Sequence, residues 1–300
     1  MKLLNYKKGF EAFLKLEKSL SPNSIDAYLR DFSKFIQFLE LKSLNPSATE
    51  VEVHHIQDFM AWLFDIEIGA RSQARILSGI KAFFNYLLME EVVTTNPTLL
   101  VEGPKLGMKI PEVLSIEDID VIIGAIDLSS KEGERNRAIL ETLYGCGLRV
   151  SELTQLKISN LLFEEGFVRV TGKGNKERIV PIGKSAMKFI RYYFEHRRNH
   201  QEVKKEAEDI VFLNNRGASL SRVMIFTIIK RLCEKANISK VVSPHTFRHS
   251  FATHLIDGGA DLRAIQEMLG HKSITTTEIY THLDRQYLRE AITQFHPRTK

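Results

Sequence analysis

The sequence predicts a two-part, mainly helical protein with one small β-hairpin in its second part. Three observations carry that expectation. Apolar residues recur at helical spacing through residues 1–100 and again beyond Ser115. A proline-rich stretch separates the two runs, and the period shortens to that of strands only between Phe163 and Ile182. At 300 residues the chain is long enough to bury two cores.

In the first part, residues 1–100, Ser21-Pro22 is a helix cap followed by a first-turn proline. Ile25, Tyr28, Leu29, Phe32, Phe35, Ile36 and Leu39 then fall on one helical face. A later helix spans Arg71 to about Glu91, with Leu77, Ile80, Phe84, Leu87 and Leu88 inward and Arg71, Arg75 and Lys81 on a solvated basic face. Trp62 reads as a core aromatic of this bundle. Residues 101–111 form the linker: from Asn96-Pro97 to Pro111 there are three of the eight prolines, two glycines and no sustained period.

Residues 112–300 make the second part. Ser115 opens a capping box with Asp118, and helices continue through Ile139, Leu140 and Leu143 until Gly145 and Gly147 break the run. Phe167–Val170 and Arg178–Ile182 flank Thr171-Gly172-Lys173-Gly174-Asn175, the pattern of a hairpin with a glycine-rich tip. Further helices start at Ser221, Ser243-Pro244, Asp261 and Ser273 or Thr275. After Leu283, Tyr287, Leu288, Ile292 and Phe295 form an apolar stripe suited to docking on its own domain or on a neighbour.

Charge is unevenly shared. Residues 1–104 hold 11 Lys and Arg against 13 Asp and Glu, a net −2, whereas residues 105–300 hold 31 against 24, a net +7. A basic half favours polyanionic partners through counterion release. The charged opening MKLLNYKKGFEAFLKLEKSL has no signal-peptide pattern, and no apolar stretch approaches the length of a membrane span. The expectation is a cytoplasmic protein without membrane insertion. Cys146 and Cys233 lack metal or redox spacing and read as free buried thiols.

Six side chains in the basic part suit phosphoryl transfer. Arg149 and Arg248 offer guanidiniums for the non-bridging oxygens of a phosphodiester. Tyr280 offers a nucleophilic oxygen, which needs help because a phenol titrates near ~10; His245 and His271 can give it. Lys173, at the hairpin tip, can protonate a leaving sugar oxygen. Each has a plainer explanation on its own. Arg149 fits a surface salt bridge with Glu152 as well as a phosphate site at a helix start. Lys173 fits a solvated turn, and Tyr280 half-buried packing in a threonine-rich helix of poor propensity. The hairpin has neither the spacing nor the following helix of a P-loop, so ATP hydrolysis is set aside. His245, His249 and His254 are close in sequence, but His254 leaves the shared face and Arg248 places a cation among them, which argues against zinc.

The segments CGLRVSEL (146–153), TGKGNKERIVPIG (171–183), SPHTFRHSFATHL (243–255) and LGHKSITTTEIYTHL (269–283) together resemble the signature of the tyrosine site-specific recombinases, the phage integrase family. The resemblance covers essentially the whole chain and is strongest to the Xer branch, and the ending QYLREAITQFHPRTK (286–300) fits it too. No family catalytic position is substituted. It implies an N-terminal four-helix, SAM-like DNA-clamping domain joined to a mainly helical catalytic domain with a small β-sheet, closing as a C around duplex DNA. It also implies that Tyr280 attacks the scissile phosphate to give a 3′-phosphotyrosine, with Arg149 and Arg248 on the phosphate and His245 as acid/base. His271 would contact phosphate or position the tyrosine, and Lys173 would be the leaving-group acid. No cofactor or metal is implied. The implied partners are double-stranded DNA at a dif-like site, further subunits in either a homo-tetramer or a hetero-tetramer with a XerC-like recombinase, and the translocase FtsK. A C-terminal exchange segment would dock on a neighbour, and the role would be chromosome-dimer resolution at cell division. The alternative is an integrase of a phage or mobile element, many of which carry an additional arm-binding domain. A catalytically silent DNA-binding homologue would need neither Tyr280 nor Lys173.

Overall fold

The computed structural model describes residues 2–107, 112–172, 176–270 and 282–299. The chain divides into two compact units, Met1–Lys109 and Ile110–Lys300.

In the first unit a 3-10 turn, Lys2–Tyr6, leads into α1 (Lys7–Leu16), followed by α2 (Pro22–Leu41), α3 (Val53–Asp65) and α4 (Ala70–Met89). The start of α2 follows from its sequence: the Ser21 hydroxyl accepts from the Ser24 N–H at 3.4 Å, and Pro22 has no N–H to leave unpaired. The core is an aromatic seam. Phe10, Phe32, Phe35, Phe59, Phe83 and Phe84 are fully buried, with Phe32 and Phe83 centroids 4.5 Å apart and Phe35 edge-on to Phe59 at 5.1 Å. Trp62 is half-buried at the rim of this seam, against Phe38 and Phe59.

Three expectations change here. Leu88 is 39% exposed, not inward, because a step of one residue from buried Leu87 turns it some 100° round the helix. Arg75 is not simply solvated: its Nη1 donates to the buried Asp31 carboxylate at 2.5 Å. Burial raises the Asp31 pKa despite that cation, and Gly79 makes room for it, since a Cβ there would lie 2.7 Å from Oδ2. Val101, assigned to the linker, is buried in this unit's core, and its carbonyl accepts from Lys81 Nζ at 3.1 Å.

The second unit holds α5 (Ile116–Gly124), α6 (Gly133–Cys146), α7 (Val150–Thr154), β1 (Leu161–Leu162), β2 (Phe167–Thr171), β3 (Glu177–Pro181), α8 (Lys184–His196), α9 (Arg222–Lys235), α10 (Pro244–Gly258), α11 (Leu262–Leu269) and α12 (His282–Phe295). Every residue of α6 from Ala138 to Cys146 is buried, as expected of a central helix, and α8 and α10 pack against it. The expected hairpin pairs Val170 with Arg178 and Thr171 with Glu177. A third strand, β1, joins it antiparallel; two residues carry no period from which to read it. On α12, Leu288, Ala291 and Ile292 are buried in this unit's own core, while Tyr287 stays partly exposed and donates its hydroxyl to Asp261. In the single chain the stripe packs on its own unit. The helix expected to start at Ser273 or Thr275 lies outside the described residues. No described helix is long and apolar enough to cross a membrane.

Candidate active site

The site begins where α6 ends. Gly147 adopts a left-handed conformation (φ +57°), and its turn makes Arg149 the capping residue of α7. The Arg149 backbone N–H donates to Glu152 Oε2 at 2.8 Å and its Nη1 to Glu152 Oε1 at 2.7 Å. The salt bridge expected as the plainer explanation of Arg149 is therefore present, and the guanidinium stays 37% exposed while Glu152 is only 2% exposed. The helix start itself is not an anion site. With five residues α7 has little dipole to offer, and Glu152 already takes the leading N–H.

Two further guanidiniums converge on this carboxylate. Arg178, from β3, forms a fork with Nη1 to Oε1 at 2.8 Å and Nη2 to Oε2 at 3.0 Å. Arg248, one turn into α10, places Nη1 3.9 Å from Oε2 and donates the same nitrogen to the Gly147 carbonyl at 2.8 Å. Burial alone would raise the Glu152 carboxyl, but Arg178 and then Arg149 outweigh it and hold the group below the ordinary glutamate value. Burial, and next the like charge of Arg149, push Arg248 down to about 10, which still leaves it charged at neutral pH. Three cations against one anion leave two positive charges unmatched.

The end of α11 closes the cluster. Its carbonyls at Met268, Leu269 and Gly270 each accept from a different guanidinium: Arg178 Nε at 2.7 Å, Arg248 Nη2 at 2.6 Å and Arg149 Nη2 at 3.3 Å. These are carbonyls that a helix end leaves unpaired. The described chain leaves the cluster at Gly270, next in sequence to His271.

Of the six residues singled out from sequence, Arg149 and Arg248 meet around Glu152. His245 is exposed in the first turn of α10, three residues before buried Arg248. Lys173, His271 and Tyr280 lie outside the described residues. Next to Lys173, the Gly172 N–H donates to the Lys176 carbonyl at 2.7 Å, so the hairpin is closed up to its tip. The three histidines weighed as metal ligands part company: His254 Nδ1 lies 2.8 Å from the Tyr144 hydroxyl. Sequence reasoning missed Arg178, treating it as an ordinary strand residue. The available signal was an arginine directly followed by the apolar run Ile179-Val180-Pro181-Ile182.

The profile of the phage integrase family matches residues 112–287, and that of the phage integrase N-terminal SAM-like domain matches residues 8–91. The tyrosine recombinase XerD of Staphylococcus epidermidis is 44% identical over 286 residues, covering 95% of this chain and 96% of that protein. Among solved structures, XerA recombinase is 30% identical over 99% of both chains, with a TM-score of 0.50. XerH recombinase in a post-cleavage complex with palindromic difH substrate is 24% identical, covers 96% of this chain and 84% of that one, and has a TM-score of 0.72, a likeness of fold.

Proposed function

Because this chain belongs to the tyrosine recombinases of the phage integrase family, in their Xer branch, we propose that Arg149, Lys173, His245, Arg248, His271 and Tyr280 are its active site. The activity is DNA strand cleavage and rejoining through a phosphotyrosine. The observation that carries the assignment is the arginine cluster, whose unmatched positive charge opens to solvent at Arg149 and suits the non-bridging oxygens of a transferring phosphate.

In this mechanism the Tyr280 oxygen attacks the scissile phosphorus of duplex DNA as the bond to the 5′ oxygen breaks. Arg149 and Arg248 stabilise charge on the non-bridging oxygens. His245 acts as acid/base, His271 hydrogen-bonds the phosphate or sets the tyrosine, and Lys173 protonates the departing 5′ oxygen. The 3′-phosphotyrosine keeps the bond energy, and the 5′-hydroxyl of a second strand reverses the step, so neither ATP nor a metal enters the scheme. The resemblance to the Xer branch supports a dif-like site as the substrate, and XerH is a relative solved on such a substrate, difH. The setting that the family resemblance implies is cytoplasmic chromosome-dimer resolution by a homo-tetramer or by a hetero-tetramer with a XerC-like partner, with FtsK as the translocase.

The test is denaturing electrophoresis with a nicked dif-like duplex. The wild-type chain should be trapped as a covalent adduct with or without EDTA, and Tyr280→Phe should bind the DNA yet form none. A normal adduct from Tyr280→Phe would overturn the nucleophile assignment. Loss with EDTA, restored by zinc or magnesium, would return His245 and His249 to consideration as ligands.

A further inference from the structure

We infer that Arg178 is a positioning residue of the cleavage site: it saturates Glu152 and anchors the end of α11, so that Arg149 and Arg248 keep both their place and their charge for the phosphate. This rests on the active-site assignment above. Arg178 is as buried as Arg248, and what sets it apart is its commitments: Nε, Nη1 and Nη2 all donate to protein acceptors, to Met268 O, Glu152 Oε1 and Glu152 Oε2.

Saturation matters because Glu152 is the only carboxylate paired with the three arginines among the described residues. A planar guanidinium matches both carboxylate oxygens at once, which lysine cannot do. With the Arg178 fork in place, both Glu152 oxygens are engaged by a residue that does not meet the substrate, and Arg149 shares only Oε1, through Nη1. Without it, the carboxylate is free to draw in Arg149 or Arg248 as its fork partner, turning that guanidinium from the phosphate and cancelling its charge. Arg248 Nη1 already lies 3.9 Å away.

Anchoring follows from the three successive carbonyls of α11. Arg178 holds the first, and Arg248 and Arg149 hold the next two, so a shift of Met268 moves the acceptors of both phosphate-facing groups. Gly270 permits this close packing: its φ is +65°, and a Cβ there would come within 3.1 Å of Arg178 Cδ.

Arg178→Lys and Arg178→Gln test the idea on the nicked duplex that the wild-type chain cleaves. Strand cleavage is compared between the phosphodiester and a methylphosphonate at the scissile position, which lacks one anionic oxygen and so asks less of the guanidiniums. Both variants should bind DNA like the wild type and cleave the phosphodiester on the order of ten- to a hundredfold more slowly. Most of that deficit should disappear on the methylphosphonate. The ratio between substrates within one variant cancels its folded fraction, so reduced stability does not obscure the outcome. An equal deficit on both substrates would mark Arg178 as a fold-stabilising residue only, and no deficit would remove it from the site; either result overturns the inference. If the wild-type chain itself forms no adduct, the active-site assignment fails instead.

Discussion

Gly147→Ala isolates the turn on which the arginine cluster is built. The residue sits at φ +57° and ψ 31°, a left-handed conformation that costs a residue bearing a Cβ ~1–2 kcal/mol. The added carbon would also lie 2.4 Å from Cδ1 and 2.8 Å from Cε1 of Phe251. That ring is fully buried in the core around α10 and has no room to withdraw, so overpacking adds ~1–3 kcal/mol. The sum is a destabilisation of roughly 2–5 kcal/mol, or about 1–2.5 M of urea at a slope near 2 kcal/mol per M. Far-UV circular dichroism during urea unfolding follows both helical units and fluorescence of Trp62, the sole tryptophan, follows the first, so the dichroism change that the fluorescence does not share belongs to the second. Adding Phe251→Leu should recover part of the loss, because it relieves the contact but not the backbone strain. A shift below about 0.5 kcal/mol would refute the reasoning.

Three other outcomes are expected. Glu152→Gln leaves two buried guanidiniums without their counter-charge, and should destabilise the chain by ~3–5 kcal/mol and abolish cleavage. The Glu152 pKa is lowered on folding, so its contribution is full above the ordinary glutamate range and is lost as pH falls through the lower folded value; a melting gap between wild type and Glu152→Gln that stays constant into strong acid would contradict this. Burial, then the neighbouring His254, press His296 from 6.5 down to about 3, so docking of the C-terminal segment is fully supported above pH 6.5 and weakens as pH falls toward 3. One unit below 6.5 is ~1.4 kcal/mol, so moving from pH 7.5 to 5.5 should lower the amide protection factors over residues 288–296, exchange being taken relative to the intrinsic rate at each pH, about tenfold, an effect that His296→Phe should remove. Lys173→Ala should regain cleavage on a bridging 5′-sulfur substrate, whose thiolate leaves without a proton, whereas Arg149→Ala should not; equal inactivity would exclude Lys173 as the acid.

What could be read in the sequence was what depends on near neighbours. The caps at Ser21, Ser115 and Ser243 pair with groups three residues on, so their sequence is their geometry. Arg149 stood out because a glycine turn precedes it. Arg178 did not, because its partners lie 26 and 90 residues away and nothing local distinguishes a buried guanidinium from a solvated one. Arg75 was misread for the same reason, its carboxylate partner being 44 residues upstream on α2. Lys173, His271 and Tyr280 owe their assignment to chemistry and family resemblance rather than to placed side chains.

With Arg149 and Arg248 proposed to hold the scissile phosphate, the cluster also offers a reason to support such a site with carbonyls rather than carboxylates. Each guanidinium must be held in one orientation, and an aspartate or glutamate would do so at the expense of its charge. A backbone carbonyl fixes a guanidinium N–H with no net charge of its own, and four serve here: Gly147, Met268, Leu269 and Gly270. The last three come from the end of one helix, where unpaired carbonyls and the negative end of the dipole favour cations without neutralising them. A single carboxylate is placed where burial is deepest, and both its oxygens are taken by the fork of Arg178, with Arg149 Nη1 sharing Oε1. Exchanging the roles, with Glu152 forked to Arg149 instead of Arg178, would leave a buried cation uncompensated and the exposed one neutral. The arrangement seen is the one that keeps positive charge where DNA can reach it.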